Sequence, residues 1–208
     1  MLKVNEMFTS IDGEINYFHQ GRVTNFLRFS GCHLSCSWCD TDHSAFTEMT
    51  PSEVVKKLEK TGIKNVTITG GEPLLQKELR KVIFLLTEKR FSITVETSGT
   101  IKIPIDILFL ANWIMDIKTP SSGCTKDLLE IEYYQQLPPN VFFKFPIKDM
   151  VDYETAKETA ERLYPAVCAF SPIIGESKTW PRVLAEKMIE DKSRCIFNLQ
   201  IHKYLNVK

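Results

Sequence analysis

The chain of 208 residues is 43% hydrophobic and 25% charged, values typical of one large globular domain with an ordinary core. Its 26 basic residues balance its 26 acidic residues, so net charge offers no general attraction for nucleic acid or an anionic membrane. The longest apolar run, residues 103–117, is interrupted by Pro104, Asp106 and Asn112, and the N-terminus has no apolar signal region. We therefore expect a single cytoplasmic domain over residues 1–208, with neither nucleic acid nor membrane as a partner.

In chain order, an irregular lead-in over residues 7–20 precedes a first strand over residues 23–30, which is rich in β-branched and aromatic side chains. A helix is predicted next, with Thr50 as N-cap, Glu53 completing a capping box and Gly62 ending it. Further strands are predicted over residues 65–69, 91–96, 111–118, 141–146, 167–171 and, more weakly, 194–200. Further helices are predicted over residues 76–90, 126–137, 152–163 (with Asp152 as the cap) and 180–191, while residues 100–110 lack the period of a full helix.

Strands that alternate with helices predict an α/β fold with a parallel sheet and right-handed crossovers. Six or so strands and missing helices favour a partial, open (β/α)6-type barrel of mostly parallel strands with abbreviated helices. In such folds the ligand site lies at the carboxyl ends of the strands. Several polar segments follow predicted strands and should share that edge: residues 31–42, 70–73, 96–100, 116–118 and 171–172.

The first of these segments, Gly31 to Asp42, reads GCHLSCSWCDTD and places Cys32, Cys36 and Cys39 at the spacing C-x3-C-x2-C. Three thiolates so close in one loop can converge on one metal centre, but a closed zinc site or a cubane iron–sulfur cluster takes four protein ligands. With three ligands, one iron of a cubane is left open for an external chelate.

A structural zinc site is the alternative, with His33 or His43 as the fourth ligand. The remaining cysteines are scattered, and Cys168 and Cys195 lie in apolar runs, so they are interpreted as small buried hydrophobes and not as a disulfide framework. Cys124 is the third of these scattered residues.

The cysteine spacing, followed by Gly70-Gly71-Glu72-Pro73, resembles the radical S-adenosylmethionine superfamily. In that superfamily three cysteines hold a 4Fe–4S cluster, S-adenosylmethionine chelates the open iron, and the reduced cluster cleaves it to a 5′-deoxyadenosyl radical. Asp116 and Lys118 are two apart at a strand end and project to one face. The resemblance implies that S-adenosylmethionine is bound by Gly70, Gly71, Glu72, Ser98, Asp116, Ile117, Lys118 and Ser171.

A closer resemblance, over essentially the whole chain, is to the 7-carboxy-7-deazaguanine synthase family. It rests on SIDGE at residues 10–14, Arg28, the CDT that follows the last clustered cysteine, and the segments GGEPLLQ, VETSGT, DIKTPSSG and LQIHKYL. It implies a lyase that converts 6-carboxy-5,6,7,8-tetrahydropterin to 7-carboxy-7-deazaguanine with loss of ammonia, in queuosine and 7-deazapurine biosynthesis.

The same resemblance implies the remaining ligands of the site. Thr41 would bind Mg²⁺, the lead-in over residues 1–22 would face the substrate, and the C-terminal tail over residues 199–208 would close over it. A homodimer and a flavodoxin-like or other electron donor are also implied. The implied substrate contacts are Ile11, Asp12, Gly13, Glu14, Arg28, Thr69, His202 and Lys208.

The lead-in departs from the family's usual Q-G-E-G, because residues 12–15 read Asp-Gly-Glu-Ile. Two other functions share part of the pattern. A glycyl-radical-enzyme activase has the same cysteine spacing and a similar size, but acts on a partner protein. A zinc-stabilised binding module would be colourless, whereas an iron–sulfur protein is brown.

Overall fold

The computed structural model describes residues 1–16, 18–42, 44–174 and 179–207. Lys208, expected to contact substrate, and His43, a candidate zinc ligand, lie outside these residues. No helix in the described ranges is long and apolar enough to cross a membrane.

The described residues form one open, mixed sheet of nine strands. The strands are β1 (Leu2–Ile11), β2 (Val23–Phe29), β3 (Thr47–Met49), β4 (Asn65–Gly70), β5 (Ser92–Thr97), β6 (Asn112–Asp116), β7 (Val141–Ile147), β8 (Cys168–Pro172) and β9 (Ile196–Phe197). In space they lie in the order β3-β1-β2-β4-β5-β6-β7-β8-β9. The seven strands from β2 to β9 in this spatial order are parallel to one another, whereas β1 is antiparallel to both β2 and β3. This confirms the predicted open and mostly parallel sheet.

Helices cover one face of the sheet and bury the main core against it. In β4, Val66 and Ile68 point into that core, whereas Thr67 and Thr69 alternate to the opposite face. Amphipathic helices supply the other half of the core, and Trp113 of β6 is fully buried within it. The helices are α1 (Pro51–Glu59), α2 (Leu79–Glu88), α3 (Ile105–Leu108), α4 (Ile131–Gln135), α5 (Met150–Leu163), α6 (Trp180–Glu190) and α7 (Ile201–Leu205).

The opposite face of the sheet is covered by the segment between β1 and β2, and it is largely polar. His19 is 1% exposed, and its ring lies 3.0 Å from Thr94 Oγ1 and 2.8 Å from Ser92 Oγ. Asp12 is fully buried and accepts a hydrogen bond from Thr67 Oγ1 at 2.7 Å. Strand side chains on this face therefore find polar partners in the lead-in segment, which fixes that segment over the sheet.

Several predicted boundaries are confirmed. Thr50 caps α1 in a capping box with Glu53, residues 100–110 contain only the four-residue α3, and the central strands fall where the sequence places them. The irregular lead-in predicted from residue 7 is wrong for its first part, because β1 runs to Ile11 and pairs with β2. Strand β3 was not predicted at all.

Three other predictions need correction. Only Ile131–Gln135 is α-helical within the helix expected over residues 126–137. Only Ile196–Phe197 is a strand within residues 194–200. Asp152 is not the cap of α5, because Asp149 accepts hydrogen bonds from the backbone N–H groups of Val151 and Asp152.

Asp152 has a different role that gives a stability prediction. Its fully buried carboxylate accepts hydrogen bonds from the backbone N–H groups of Ser121 and Lys148, both at 2.9 Å, and from Ser121 Oγ. Asp149→Ala should lower the free energy of unfolding by about 1 kcal/mol, the usual loss for a helix cap. Asp152→Ala should lower it by about 3 kcal/mol, because three donors lose their acceptor.

Urea unfolding of the two variants, in anaerobic buffer with reductant, measures both losses. A loss for Asp149→Ala equal to or larger than that for Asp152→Ala would contradict this assignment.

Candidate active site

A cleft opens at the carboxyl ends of the parallel strands. Its wall includes the end residues of β2, β4, β5, β6 and β8, together with the loop of three cysteines and helix α7. Most of the residues predicted from sequence lie on this wall. They are Gly13, Glu14, Arg28, Cys32, Cys36, Cys39, Thr41, Thr69, Gly70, Gly71, Ser98, Asp116, Lys118, Ser171 and His202.

Two glycines bring the Gly-Gly-Glu-Pro segment against the cysteine loop. The N–H of Gly71 donates to Phe29 O and that of Glu72 donates to Gly31 O, both at 2.9 Å. A Cβ on Gly71 would lie 2.0 Å from Gly31 O, and Gly70 has a φ of 127°. Only glycine allows this approach, so here the motif positions the cysteine loop.

Glu72 does not line the cleft, contrary to its expected contact with S-adenosylmethionine. Its side chain is fully buried and accepts hydrogen bonds from Thr97 Oγ1 at 2.9 Å and from the N–H of Ser98 at 2.7 Å. It also accepts hydrogen bonds from Ser98 Oγ and from the N–H of Leu74. Glu72 therefore joins the end of β5 to the Gly-Gly-Glu-Pro segment and fixes the backbone around Ser98.

The three clustered cysteines are free, with Cys32 and Cys36 half-buried and Cys39 exposed. Burial raises the pKa of Cys32 above its usual value and that of Cys36 to about 12. The nearby Lys118 acts in the opposite direction on both thiols and supplies a positive charge beside them. Three thiols on the wall of one cleft, with an ammonium group near two of them, fit the 4Fe–4S cluster that the spacing predicts, since the ligands bind as thiolates.

Of the two candidate histidine ligands for zinc, the structure describes His33. Its Nε2 lies 2.7 Å from Thr100 Oγ1 and is thus already engaged in a hydrogen bond.

Arg28 and Thr41 lie together on one side of the cleft. Arg28 Nη1 donates to Thr41 Oγ1 at 3.3 Å, while its Nε donates to Glu6 at 2.9 Å. The guanidinium also lies 5.9 Å from the centre of the Phe8 ring. Glu6 and Phe8 belong to β1, so the strand that was not predicted orients the predicted arginine.

A buried ionic cluster forms the floor of the cleft. Lys144 Nζ lies 3.0 Å from both a Glu14 oxygen and an Asp116 oxygen, and Lys118 Nζ lies 3.2 Å from Asp116. Burial opposes charge on Lys144 and on Asp116, but their mutual attraction prevails. The pKa of Lys144 is raised and that of Asp116 is lowered from their ordinary values.

Glu14 also binds the C-terminal part of the chain. Asn198 Nδ2 donates to one of its oxygens at 2.9 Å, and Gln200 Nε2 donates to the other. Gly13 lies so close to α7 that a Cβ there would be 2.4 Å from His202 Nδ1. His202 Nδ1 is buried and has no hydrogen-bond partner among the described residues, while His202 as a whole lines the cleft.

The cysteine loop contacts the same tail. Lys203 Nζ lies 2.8 Å from Asp40 Oδ2. Burial opposes ionisation of Asp40, but Lys203 lowers its pKa below the usual value. The C-terminal tail therefore contacts both the lead-in and the cysteine loop.

Besides Glu72, three of the predicted contacts lie outside the cleft wall. Ile11 is paired with Val23 in the sheet, and Ile117 is 3% exposed within the main core. Asp12 lies beneath the wall, where its backbone N–H and C=O bond Arg22 and Gly21. Its carboxylate accepts a hydrogen bond from the N–H of Glu14 at 3.0 Å, which shapes the turn that presents Glu14.

The departure from the usual lead-in also has a structural basis. Ile15 stands where the family usually has glycine, and its side chain is 2% exposed. It packs on Ile114, Phe142 and Ala169 on the polar face of the sheet. This small apolar cluster anchors the residue that follows Glu14.

Glu96 and Lys144 line the cleft but were not predicted as site residues, although Glu96 begins the polar segment 96–100 that was expected at this edge. Each was a charged residue inside a run otherwise typical of a buried strand, and that signal could have found them. Glu96 accepts a hydrogen bond from Thr69 Oγ1 at 2.7 Å. Burial, reinforced by the charge of Glu14, raises the pKa of Glu96 to about 8.

Comparisons with known proteins agree with this site. Residues 27–116 match the model of the radical SAM superfamily. The 7-carboxy-7-deazaguanine synthase of Clostridium acetobutylicum is 30% identical, over 98% of this chain and 95% of its own length. That of Chlorobaculum tepidum is 32% identical, over 98% and 94%. The crystal structure of QueE from Escherichia coli superposes with a TM-score of 0.71 at 22% identity, over 96% of this chain and 93% of that one.

The parallel sheet, the three thiols at its edge and the superfamily match define a radical S-adenosylmethionine enzyme, a class that implies S-adenosylmethionine and a 4Fe–4S cluster as cofactors. Within that class, the near full-length relatives are more specific. The chain belongs to the 7-carboxy-7-deazaguanine synthase family.

The raised pKa of Glu96 predicts a pH dependence of stability. The pKa is 4.5 for an unperturbed glutamate and about 8 in the folded chain, so the folded chain binds the extra proton between these values. This contribution to stability is fully present below pH 4.5 and is lost as the pH rises towards 8.

Glu96→Gln should therefore flatten the fall in the free energy of unfolding from about pH 5 to about pH 8, by at most about 1.4 kcal/mol per pH unit. Urea unfolding of the metal-free protein across this range is the measurement, and the exposed Glu88→Gln is the control. Wild type and Glu96→Gln with parallel pH profiles would refute the assignment.

Proposed function

We propose that this enzyme converts 6-carboxy-5,6,7,8-tetrahydropterin to 7-carboxy-7-deazaguanine with loss of ammonia, for queuosine and other 7-deazapurines. One observation carries the proposal: the cleft that holds the three thiols also holds a buried carboxylate, Glu14, and a guanidinium, Arg28. A carboxylated pterin has a donor-rich, guanidine-like edge and an anionic group, so it needs one acceptor and one cation in a single cleft.

Cys32, Cys36 and Cys39 would hold the 4Fe–4S cluster. When bound, the cluster would supply the one-electron reduction from which the radical chemistry of this class starts. Lys118 and Asp116 are paired at 3.2 Å, and they would offer one positive and one negative group to S-adenosylmethionine. Gly70, Gly71, Ser98 and Ser171 complete this side of the wall.

Glu14 would accept an N–H bond from the pterin edge. Lys144, Asn198 and Gln200 already occupy three of its roughly four acceptor positions and fix its orientation from behind, so little freedom is lost on binding. Arg28 would pair with the substrate carboxylate, and Thr69 and His202 would complete the contacts. We propose that the tail over residues 199–208 closes the site, because α7 already packs on Gly13.

Mg²⁺ is proposed at Thr41. The Thr41 hydroxyl lies 3.4 Å from Asp40 Oδ1, so two oxygens of the kind that magnesium prefers lie side by side. Arg28 now donates to the same hydroxyl, and a bound cation would replace this hydrogen bond. The arginine would then be free to bind the substrate carboxylate.

The family also supports a cytoplasmic homodimer that takes electrons from a flavodoxin-like or other donor.

The decisive experiment is anaerobic turnover of 6-carboxy-5,6,7,8-tetrahydropterin by cluster-reconstituted protein with S-adenosylmethionine, reductant and Mg²⁺. We expect 7-carboxy-7-deazaguanine as product, with far less than one S-adenosylmethionine consumed per turnover, since hydrogen returns from 5′-deoxyadenosine. Reductive cleavage to 5′-deoxyadenosine without this product would exclude the proposed substrate and favour an activase of a glycyl-radical enzyme.

Arg28 gives a test of the substrate orientation. Arg28→Ala should raise KM for the pterin about 10- to 100-fold, the usual loss of a charge-assisted hydrogen bond, and leave KM for S-adenosylmethionine unchanged. Arg28→Lys, which keeps the charge, should have a KM for the pterin between those of wild type and Arg28→Ala.

Arg80→Ala is the matched control for Arg28, because its guanidinium is 57% exposed and pairs with Asp106. Iron content should be equal in all variants. A pterin KM that stays at the wild-type value in Arg28→Ala would remove this residue from the substrate site.

A further inference from the structure

Cys124 lies outside the three-cysteine loop, yet it touches one of its thiols. The sulfur atoms of Cys36 and Cys124 are 3.8 Å apart, within hydrogen-bond distance for a pair of thiols. Cys124 is 5% exposed, so its thiol is shielded from water and aimed at a single partner.

The contact belongs to a built interface between two loops. Ser37 N donates to Ser122 O at 3.1 Å, Ser37 Oγ donates to Ser121 O at 2.6 Å, and Trp38 Nε1 donates to Ser121 Oγ at 3.1 Å. Ser121 in turn donates to the buried carboxylate of Asp152. Hydrogen bonds therefore fix the backbone next to both cysteines, and they hold the two sulfur atoms in contact.

The role of Cys36 as a cluster ligand determines which sulfur donates the hydrogen bond. A cysteine that binds iron does so as a thiolate and has no proton to give. Cys36 is one of the three cluster ligands, so in the loaded protein it can only accept. Cys124 is not one of the three ligands, so its S–H is the donor of the pair.

We propose that the Cys124 thiol donates an S–H hydrogen bond to the Cys36 thiolate and thereby positions and tunes the cluster. A donor to a ligand sulfur stabilises negative charge, and the reduced cluster carries more of it than the oxidised one. Cys124 should therefore raise the reduction potential and make the cluster easier to reduce. The inference rests on the cluster alone and not on the pterin substrate.

The test is a potentiometric titration of the reconstituted cluster, followed by electron paramagnetic resonance, without substrate. Cys124→Ala should have a more negative midpoint potential than wild type, whereas Cys124→Ser, which keeps an O–H donor, should stay near wild type. Cys195→Ala, a cysteine remote from the cleft wall, is the control and should not differ from wild type.

Equal potentials for wild type and Cys124→Ala would overturn the proposal, as would a Cys124→Ser potential that follows Cys124→Ala. If Cys124→Ala loses iron, Cys124→Val provides a second variant without a donor that fills the volume of the thiol. Loss of iron from both would show that Cys124 is needed for binding the cluster, and would also overturn the proposal. Failure of pterin turnover would leave these potentials unaffected, so the two proposals fail separately.

Discussion

A buried ammonium, that of Lys144, holds the floor of the cleft together. It lies 3.0 Å from carboxylate oxygens of both Glu14 and Asp116, which come from the lead-in and from β6. Removing one partner of such a buried group leaves an uncompensated charge and costs about 3–5 kcal/mol. The positions of the lead-in and of the strand ends therefore depend on this one side chain, which joins them across the sheet.

The floor divides the cleft chemically. On one side, Lys118 and Asp116 stand near the three thiols, where a charged cofactor needs both signs. On the other side lie the carboxylate of Glu14 and the guanidinium of Arg28. Because Asp116 pairs with both lysines, the two halves share one electrostatic network. Removing a charge from one half is therefore expected to change the electrostatic potential in the other half.

Local sequence signals were sufficient for the parallel strands and for the cysteine loop, because each central strand is a short apolar run that ends at a polar segment. They were insufficient for β1, because polar residues such as Asn5 and Thr9 interrupt the alternation of apolar and polar residues that marks a strand. These residues find their partners in distant segments: Asn5 donates to Ala45 O and Thr9 Oγ1 donates to Asn25. Lys144 was missed for a related reason, since its two carboxylate partners lie far away in the chain. The formation of β1 and the position of Lys144 both depend on contacts with residues far away in the sequence.

The contact between an early and a late segment of the chain over the cleft has a consequence for biosynthesis. Glu14 is held by Asn198 and Gln200, residues that are 184 and 186 positions later. A nascent chain has its cysteine loop, its Gly-Gly-Glu-Pro segment and the loop of Cys124 long before these amides emerge from the ribosome. The part of the cleft that contains the three thiols can thus form before Asn198 and Gln200 are available to hold Glu14.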